Sequence, residues 1–419
     1  MDLHVSDFLS DIARSGPKVT ETGPPDVTFD FDQGIPAEET FPIDELSNLH
    51  VEVLARDGGR SLEYVSLDTN RPGDLLRWPT TRAEMLLGYS GLRRQVAEWL
   101  SATQPGTDIE PDGVILTSGS AHAIALGISA FVNKGDAVIM ESMTFPYAAR
   151  YMEMRGAEVH SVRVDTDGID PDELEQCLVR MRSEGTRPKM LYTIPTFHMP
   201  TGATSPLSTR RRILELADEF DFLVIEDNIY ADLRYSGHAV PSLMSLDTTG
   251  RVLQSHGFSK IVAPGLRLGW MSGNPEAIAG LASVRQDLGV SQLTCRVMEL
   301  YLARGLLDPH IIEANKLYRT RRDLAVRAMQ EHCEGLVEFD NPEGGFYLWI
   351  RFADELDPEI VRRGAEAKGI SCRPGERFRR KGSPEYVDRY LRLAFSHVHV
   401  DKLASGIAEF GTILQNAKR

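Results

Sequence analysis

Between residues 114 and 235 short apolar runs alternate with amphipathic stretches, and this rhythm limits the possible fold more than any other feature of the chain. Val-Ile-Leu-Thr at 114–117 passes through a Ser-Gly-Ser turn into a run with helical spacing, AHAIALGISAF. AVIME at 137–141, HSVRV at 160–164, KMLYTI at 189–194 and LVIED at 223–227 read as further strands, with a helical pattern at 171–182 among them. Strands separated by helix-length segments build βαβ units, which places this region in the α/β class. With 419 residues, 42% of them hydrophobic, the chain can bury a large core, and its length suggests two or three structural units.

Composition removes several classes of function. A net charge of −15 disfavours a nucleic-acid backbone or an anionic membrane as partner. No apolar run approaches membrane-spanning length, and MDLHVSDFLSDIARSG lacks the basic start and continuous apolar stretch of a signal peptide, so a cytoplasmic location is expected. Cys177, Cys295, Cys333 and Cys372 are far apart without CxxC spacing, which suggests buried thiols, with no zinc site and no disulfide framework.

Chemistry concentrates in residues 255–270, SHGFSKIVAPGLRLGW. A lone lysine is usually a solvated surface group. Lys260, however, is flanked by Phe258, Ile261 and Val262, and a desolvated amine has a depressed pKa and becomes a nucleophile toward an aldehyde. Arg267, after a Pro-Gly turn, offers a planar fork suited to phosphate. Upstream, the turn of Ser118, Gly119 and Ser120 opens a helix, where free N–H groups and the helix dipole favour an anion. Alone that motif is weak, because many strand-to-helix turns look alike. Asp227 ends an apolar strand with Tyr230 three residues on; a helix cap is the ordinary fate of such an aspartate. Phe145 by itself reads as core, and Arg392, within RYLRLAFSHV, as an edge charge.

Taken in order, these residues resemble the class I/II aminotransferase family of pyridoxal-phosphate (PLP) enzymes, whose signature runs approximately S-F-S-K-x-x-x-P-G-x-R-x-G. The resemblance extends roughly from residue 27 to the end, with Gly34-Ile35-Pro36 and Phe41-Pro42 similar to the family's N-terminal landmarks. It implies fold type I: a large domain with a mostly parallel seven-stranded sheet and a smaller α+β domain built from both termini. The implied division is 1–57 as arm and part of the small domain, 58–305 as the large domain, and 306–419 as the C-terminal small domain. It implies Lys260 as Schiff-base lysine and base, Asp227 as the acid keeping the pyridine nitrogen protonated, and Tyr230 as donor to the cofactor's phenolic oxygen. Ser118, Gly119, Ser120, Ser259 and Arg267 would hold the phosphate, Phe145 would stack on the ring, and Gly34 and Arg392 would receive the substrate, Arg392 clamping its α-carboxylate. A homodimer is implied as well.

Three departures from the family pattern stand out. Met199 replaces an asparagine that donates to the phenolic oxygen, while Pro200, Thr201 and Gly202 are kept; adjacent His198 is expected to point elsewhere. Gly257 stands where a hydroxyl residue commonly binds phosphate. Residues 58–87, with Arg60, Arg71, Arg77, Arg82 and Trp78, are irregular and either shape the substrate pocket or form a surface loop. The leading expectation is an aminotransferase acting on an amino acid. The alternative is a specialised PLP enzyme of secondary metabolism: a C–S β-lyase, or an oxygen-dependent deaminase or decarboxylase of an amino-acid conjugate. A ligand-sensing domain of a transcription regulator shares this fold but is expected to follow a basic winged helix, and only a short acidic segment precedes residue 27.

Overall fold

The computed structural model describes residues 4–14, 27–63, 82–380 and 387–418. Seven strands form the central sheet: β1 (Val114–Thr117), β2 (Ala137–Glu141), β3 (Glu158–Val162), β4 (Pro188–Thr193), β5 (Leu223–Asp227), β6 (Val252–Gly257) and β7 (Gly269–Ser272). Their spatial order is β1-β7-β6-β5-β4-β2-β3. β7 runs antiparallel to both its neighbours, and the pairings among β2 to β6 are parallel. β1, β2 and β6 are buried along their whole length, as expected of strands covered on both faces. The parallel strands therefore deliver Thr117, Glu141, Thr193, Asp227 and Gly257 to one edge of the sheet, where ligands of open α/β sheets bind. α1 (Ser120–Phe131) leaves that edge directly after β1.

A second sheet is antiparallel, with β8 (Val337–Phe339), β9 (Tyr347–Phe352), β10 (Arg373–Pro374) and β11 (Tyr390–Ala394) in the order β8-β9-β11-β10. α2 (Leu307–His332), which follows the large sheet, packs along α3 (Val400–Asn416) near the chain's end. The N-terminal strand Phe29–Asp30 pairs in parallel with Ile370–Ser371, so the smaller unit does draw on both ends of the chain. Residues 369–378 hold two short strands that serve different partners: Ile370 and Ser371 meet Phe29 and Asp30, while Arg373 and Pro374 meet Arg392 and Leu391. Pro374 brings no N–H to its ladder, which favours so short a pairing.

Of the irregular stretch 58–87, the structure describes a 3-10 turn at Gly58–Ser61 and a helix at Arg82–Leu87; Arg71, Arg77 and Trp78 lie outside the described residues. All four cysteines are free. Among the described residues no helix is long and apolar enough to cross a membrane.

Two buried polar anchors shape the loop after β4. Arg210, fully buried, donates to the carbonyls of Ser205, Pro195 and Pro241 at 2.9, 2.8 and 3.0 Å. Glu141 accepts from the Thr193 hydroxyl at 2.6 Å and the Ile194 amide at 2.8 Å, and its second oxygen accepts from Thr144 at 3.0 Å and lies 3.3 Å from His198 Nε2. These bonds hold residues 194–205 at the edge of the sheet, where Met199 enters the site. His198, also bonded to Thr201 Oγ1 at 2.8 Å, points elsewhere as expected, facing Glu141, but a turn rather than an extended chain puts it there, closed by the Gly202 amide on the His198 carbonyl at 2.6 Å.

Candidate active site

The Ser-Gly-Ser turn lies at the junction of β1 and α1. Gly119 is the residue before the helix, with φ of 86°, a left-handed conformation that side chains disfavour. No side chain caps this helix start, so its first N–H groups keep their capacity for an external anion. Arg267 is held by the 3-10 turn Pro264–Leu266, and its Nη2 donates to the Ser118 carbonyl at 2.9 Å. The guanidinium and the turn thus form a single cradle. A Cβ on Gly257 would lie 2.9 Å from the Gly269 Cα on the paired strand β7. Close approach of two backbones accounts for the missing hydroxyl residue there. Ser259 is buried one position before the lysine.

Lys260 follows β6, with Phe258, Ile261 and Val262 buried around it. Its Nζ donates to the Gly34 carbonyl at 2.7 Å and lies 5.8 Å from the centre of the Tyr230 ring. Burial, and then the positive charge of Arg392, lowers its pKa from 10.5 to about 8. The neutral, nucleophilic amine is therefore more accessible here than in an ordinary lysine.

The two adjacent acids of β5 have separate fates, because successive side chains of a strand point to opposite faces. Glu226 takes the capping role, accepting from the amides of Leu243 and Met244 at 2.9 and 3.0 Å and from Gln254 at 2.9 Å. Asp227 is buried on the site side; its Oδ2 accepts from the Tyr192 hydroxyl at 2.7 Å, while Oδ1 has no partner among the described residues. Burial pushes its pKa up to about 6, against the lowering effect of Tyr192. A buried carboxylate with one oxygen open calls for a cationic donor.

Tyr230, beyond Asp227, meets two side chains. Its hydroxyl is 2.7 Å from that of Tyr347 and 3.8 Å from Met199 Sδ. Burial holds its pKa well above the usual phenol value, so it stays protonated. Arg392 on β11 is buried between the rings of Tyr347 and Phe378, 4.3 and 5.0 Å from their centres. Its Nη2 donates to the Asp32 carbonyl, Nη1 lies 3.5 Å from Met199 Sδ, and Nε has no partner. This is a held cation with donor capacity to spare. Phe145, half-buried, precedes the helix Pro146–Arg155 and leans on Tyr147, the ring centres 5.3 Å apart.

The structure therefore joins Ser118, Gly119 and Arg267 in one cluster, Lys260, Gly34 and Tyr230 in a second, and Tyr230, Met199 and Arg392 in a third. Tyr192, Tyr347, Phe378 and Asp32 were not singled out in the sequence. Tyr192 sits inside an apolar strand and Tyr347 inside GGFYLWIRF, where a tyrosine reads as core. The donor set fits PLP: a cradle for its phosphate, a reactive amine for its aldehyde, an open carboxylate oxygen for its ring nitrogen and a phenol for its ring oxygen. Among the described residues no group of three or more His, Cys, Asp or Glu side chains gathers as a metal site.

Residues 85–407 match the family model described as aminotransferase class I and II. Aromatic-amino-acid aminotransferase 1 of Thermococcus litoralis is 33% identical over 389 residues, covering 92% of this chain and 88% of that one. The kynurenine aminotransferase of Pyrococcus horikoshii, solved in complex with PMP, is 30% identical and superposes with a TM-score of 0.86 over 98% of both chains. The α-aminoadipate aminotransferase of Thermus thermophilus, solved with N-(5'-phosphopyridoxyl)-L-leucine, is 26% identical, with a TM-score of 0.84 over 99% of both chains.

Proposed function

The chain belongs to the class I and II aminotransferase family, and from that premise we propose how its residues carry out amino-group transfer and on what substrate. When bound, PLP supplies an aldehyde to carry the amino group and a cationic ring that accepts the electron pair released at the substrate Cα. Arg267 and the backbone N–H of Ser120 at the uncapped helix start bind its phosphate, assisted by Ser259, while Ser118 and Gly119, whose own amides donate to His122 Nδ1 and the Thr117 carbonyl, shape the turn. Asp227 Oδ1 holds the proton on the ring nitrogen, and a cation there restores the carboxylate that burial disfavours. Tyr230 donates to the phenolic oxygen, and Phe145 packs on the ring face. Lys260 Nζ, its pKa lowered by burial, takes the proton from the substrate Cα and returns it during the transfer. Arg392 clamps the α-carboxylate beside Gly34, its unpartnered Nε finding an acceptor there.

The observation that carries this reading is the buried Asp227, held on one oxygen by Tyr192 and open on the other. We infer an amino acid with an aromatic or otherwise extended side chain as substrate, because the relatives reported above are named for aromatic amino acids, kynurenine and aminoadipate. The same names support amino-group transfer over elimination or oxidative deamination. A cytoplasmic homodimer without nucleic-acid or membrane partners completes the proposal, as does the division at residues 57 and 305. The net charge of −15 supports it, as do the exposed Ile43 and Val51 on helix Ile43–Asp57, a surface suited to a second subunit.

The test is a panel of amino acids mixed with stoichiometric enzyme, followed by absorbance of the bound cofactor. Conversion to its amine form with an equivalent of keto acid is expected. Ammonia, peroxide or carbon dioxide released with the cofactor unchanged would overturn the reading.

Arg392→Ala should raise KM for α-amino acids about 10- to 100-fold, since a charged hydrogen bond is worth about 1.5–3 kcal/mol. Amines lacking a carboxylate should be unaffected, and an equal loss for them contradicts the clamp. Met199→Asn tests the residue beside it. A thioether cannot donate to the phenolic oxygen, whereas an amide can, and a donor there draws away electron density that holds the proton on the lysine nitrogen joined to the cofactor. The pKa read from absorbance of the lysine-linked cofactor should fall by about 1–2 units. An unchanged or raised value would mean that Met199 only packs.

A further inference from the structure

Tyr347 lies on β9, buried, with its ring at 77° to that of Tyr230. Its hydroxyl oxygen is so close to Gly34 that a Cβ there would come within 1.9 Å of it. The Arg392 guanidinium covers its ring. The phenol is thus fixed from three sides, and among the described residues its one polar contact is the Tyr230 hydroxyl at 2.7 Å.

A phenol has one proton and two lone pairs, so a pair of phenols shares one proton and has one to spare. If Tyr230 donates to Tyr347, the spare proton is that of Tyr347, left against Gly34 with no acceptor. If Tyr347 donates to Tyr230, the spare proton is that of Tyr230, which rests on Met199 Sδ at 3.8 Å. The second arrangement places both protons. Sulfur is a weak acceptor, so the Tyr230 proton can leave it for an oxyanion at little cost. A hydroxyl that accepts a hydrogen bond is also a better donor, because chains of such bonds polarise one another.

We propose that Tyr347 is a positioning residue: by donating to Tyr230 it directs the Tyr230 proton toward the cofactor's phenolic oxygen and supplies, through Tyr230, the donor strength that Met199 cannot. This rests on the reading of Tyr230 as the donor to that oxygen. Because Arg392 rests on the Tyr347 ring, the seat of the substrate carboxylate and the donor to the cofactor share one side chain.

The experiment is a pH titration of cofactor absorbance in the holoenzyme and in Tyr347→Phe, Tyr230→Phe and the double variant, each checked for cofactor content and melting temperature. Tyr347→Phe removes only an oxygen, and full cofactor loading is expected. The pKa of the lysine-linked cofactor should rise by about half a unit to one unit in Tyr347→Phe. Tyr230→Phe should raise it further, and the double variant should match Tyr230→Phe, since a residue acting through another adds nothing once that other is gone. A shift in Tyr230→Phe with none in Tyr347→Phe overturns the proposal alone. An additive double variant also overturns it, because Tyr347 would then act independently. No shift in Tyr230→Phe removes the reading of Tyr230 on which the proposal stands.

Discussion

Lys260→Ala is expected to lower turnover by at least about 10³-fold and to abolish the absorbance of the lysine-linked cofactor, while PLP still binds without a covalent bond. The effect is large because one side chain does two things. It forms the bond that holds the aldehyde, and it moves the proton at the substrate Cα. The phosphate cradle of Arg267 and the 118–120 turn does not depend on it, so binding should survive. Structurally the change is mild: the Gly34 carbonyl loses its 2.7 Å donor, worth about 1 kcal/mol. Absorbance spectra and single-turnover rates check the outcome. Retained activity with an unchanged spectrum would end the assignment of Lys260.

The next largest loss is expected for Asp227. Asp227→Ala should reduce turnover by about 10²-fold or more, equivalent to about 2.7 kcal/mol of barrier, because a ring without its proton accepts the electron pair poorly. Alanine also strands the Tyr192 hydroxyl in the interior, at a cost of about 1–3 kcal/mol in stability. Asp227→Asn separates the two effects. The amide oxygen still accepts from Tyr192, so the melting temperature should be nearly native, yet a neutral amide cannot stabilise a cationic nitrogen and the rate should fall as far. Normal turnover in the asparagine variant would show that the carboxylate serves only to hold Tyr192.

Much of this site is legible in the sequence because its chemistry is delivered by strand ends and turns, which are local patterns. Ser118 and Asp227 lie where an apolar run stops, Lys260 and Arg267 lie in the turns after one, and their order along the chain adds meaning that none has alone. Glu226 and Asp227 are the limit of that approach. Adjacent acids look interchangeable, and only the pleat of β5 decides that one caps a helix and the other stays open. Tyr192 and Tyr347 were illegible for a different reason. Their partners are 35 and 117 residues away, and a hydroxyl in an apolar strand gives no sign of which acceptor it will meet. Gly257 read as a lost contact, although the close passage of β7 leaves no room for a side chain there. The split of residues 369–378 follows from an N-terminal strand whose partner no local pattern names.

That N-terminal strand also sets a schedule. The Phe31 carbonyl receives the Ala394 amide, the Asp32 carbonyl the Arg392 guanidinium, and the Gly34 carbonyl the Lys260 amine. A stretch made early therefore bonds to Arg392, 360 residues later, and contacts so distant along the chain close slowly. Until residue 394 has been made, the Phe31 and Asp32 carbonyls lack these partners, and the lysine, which can already meet Gly34, has no common support with the carboxylate arginine. The central sheet can form during synthesis, but the site is fully assembled only after residue 394 has been made.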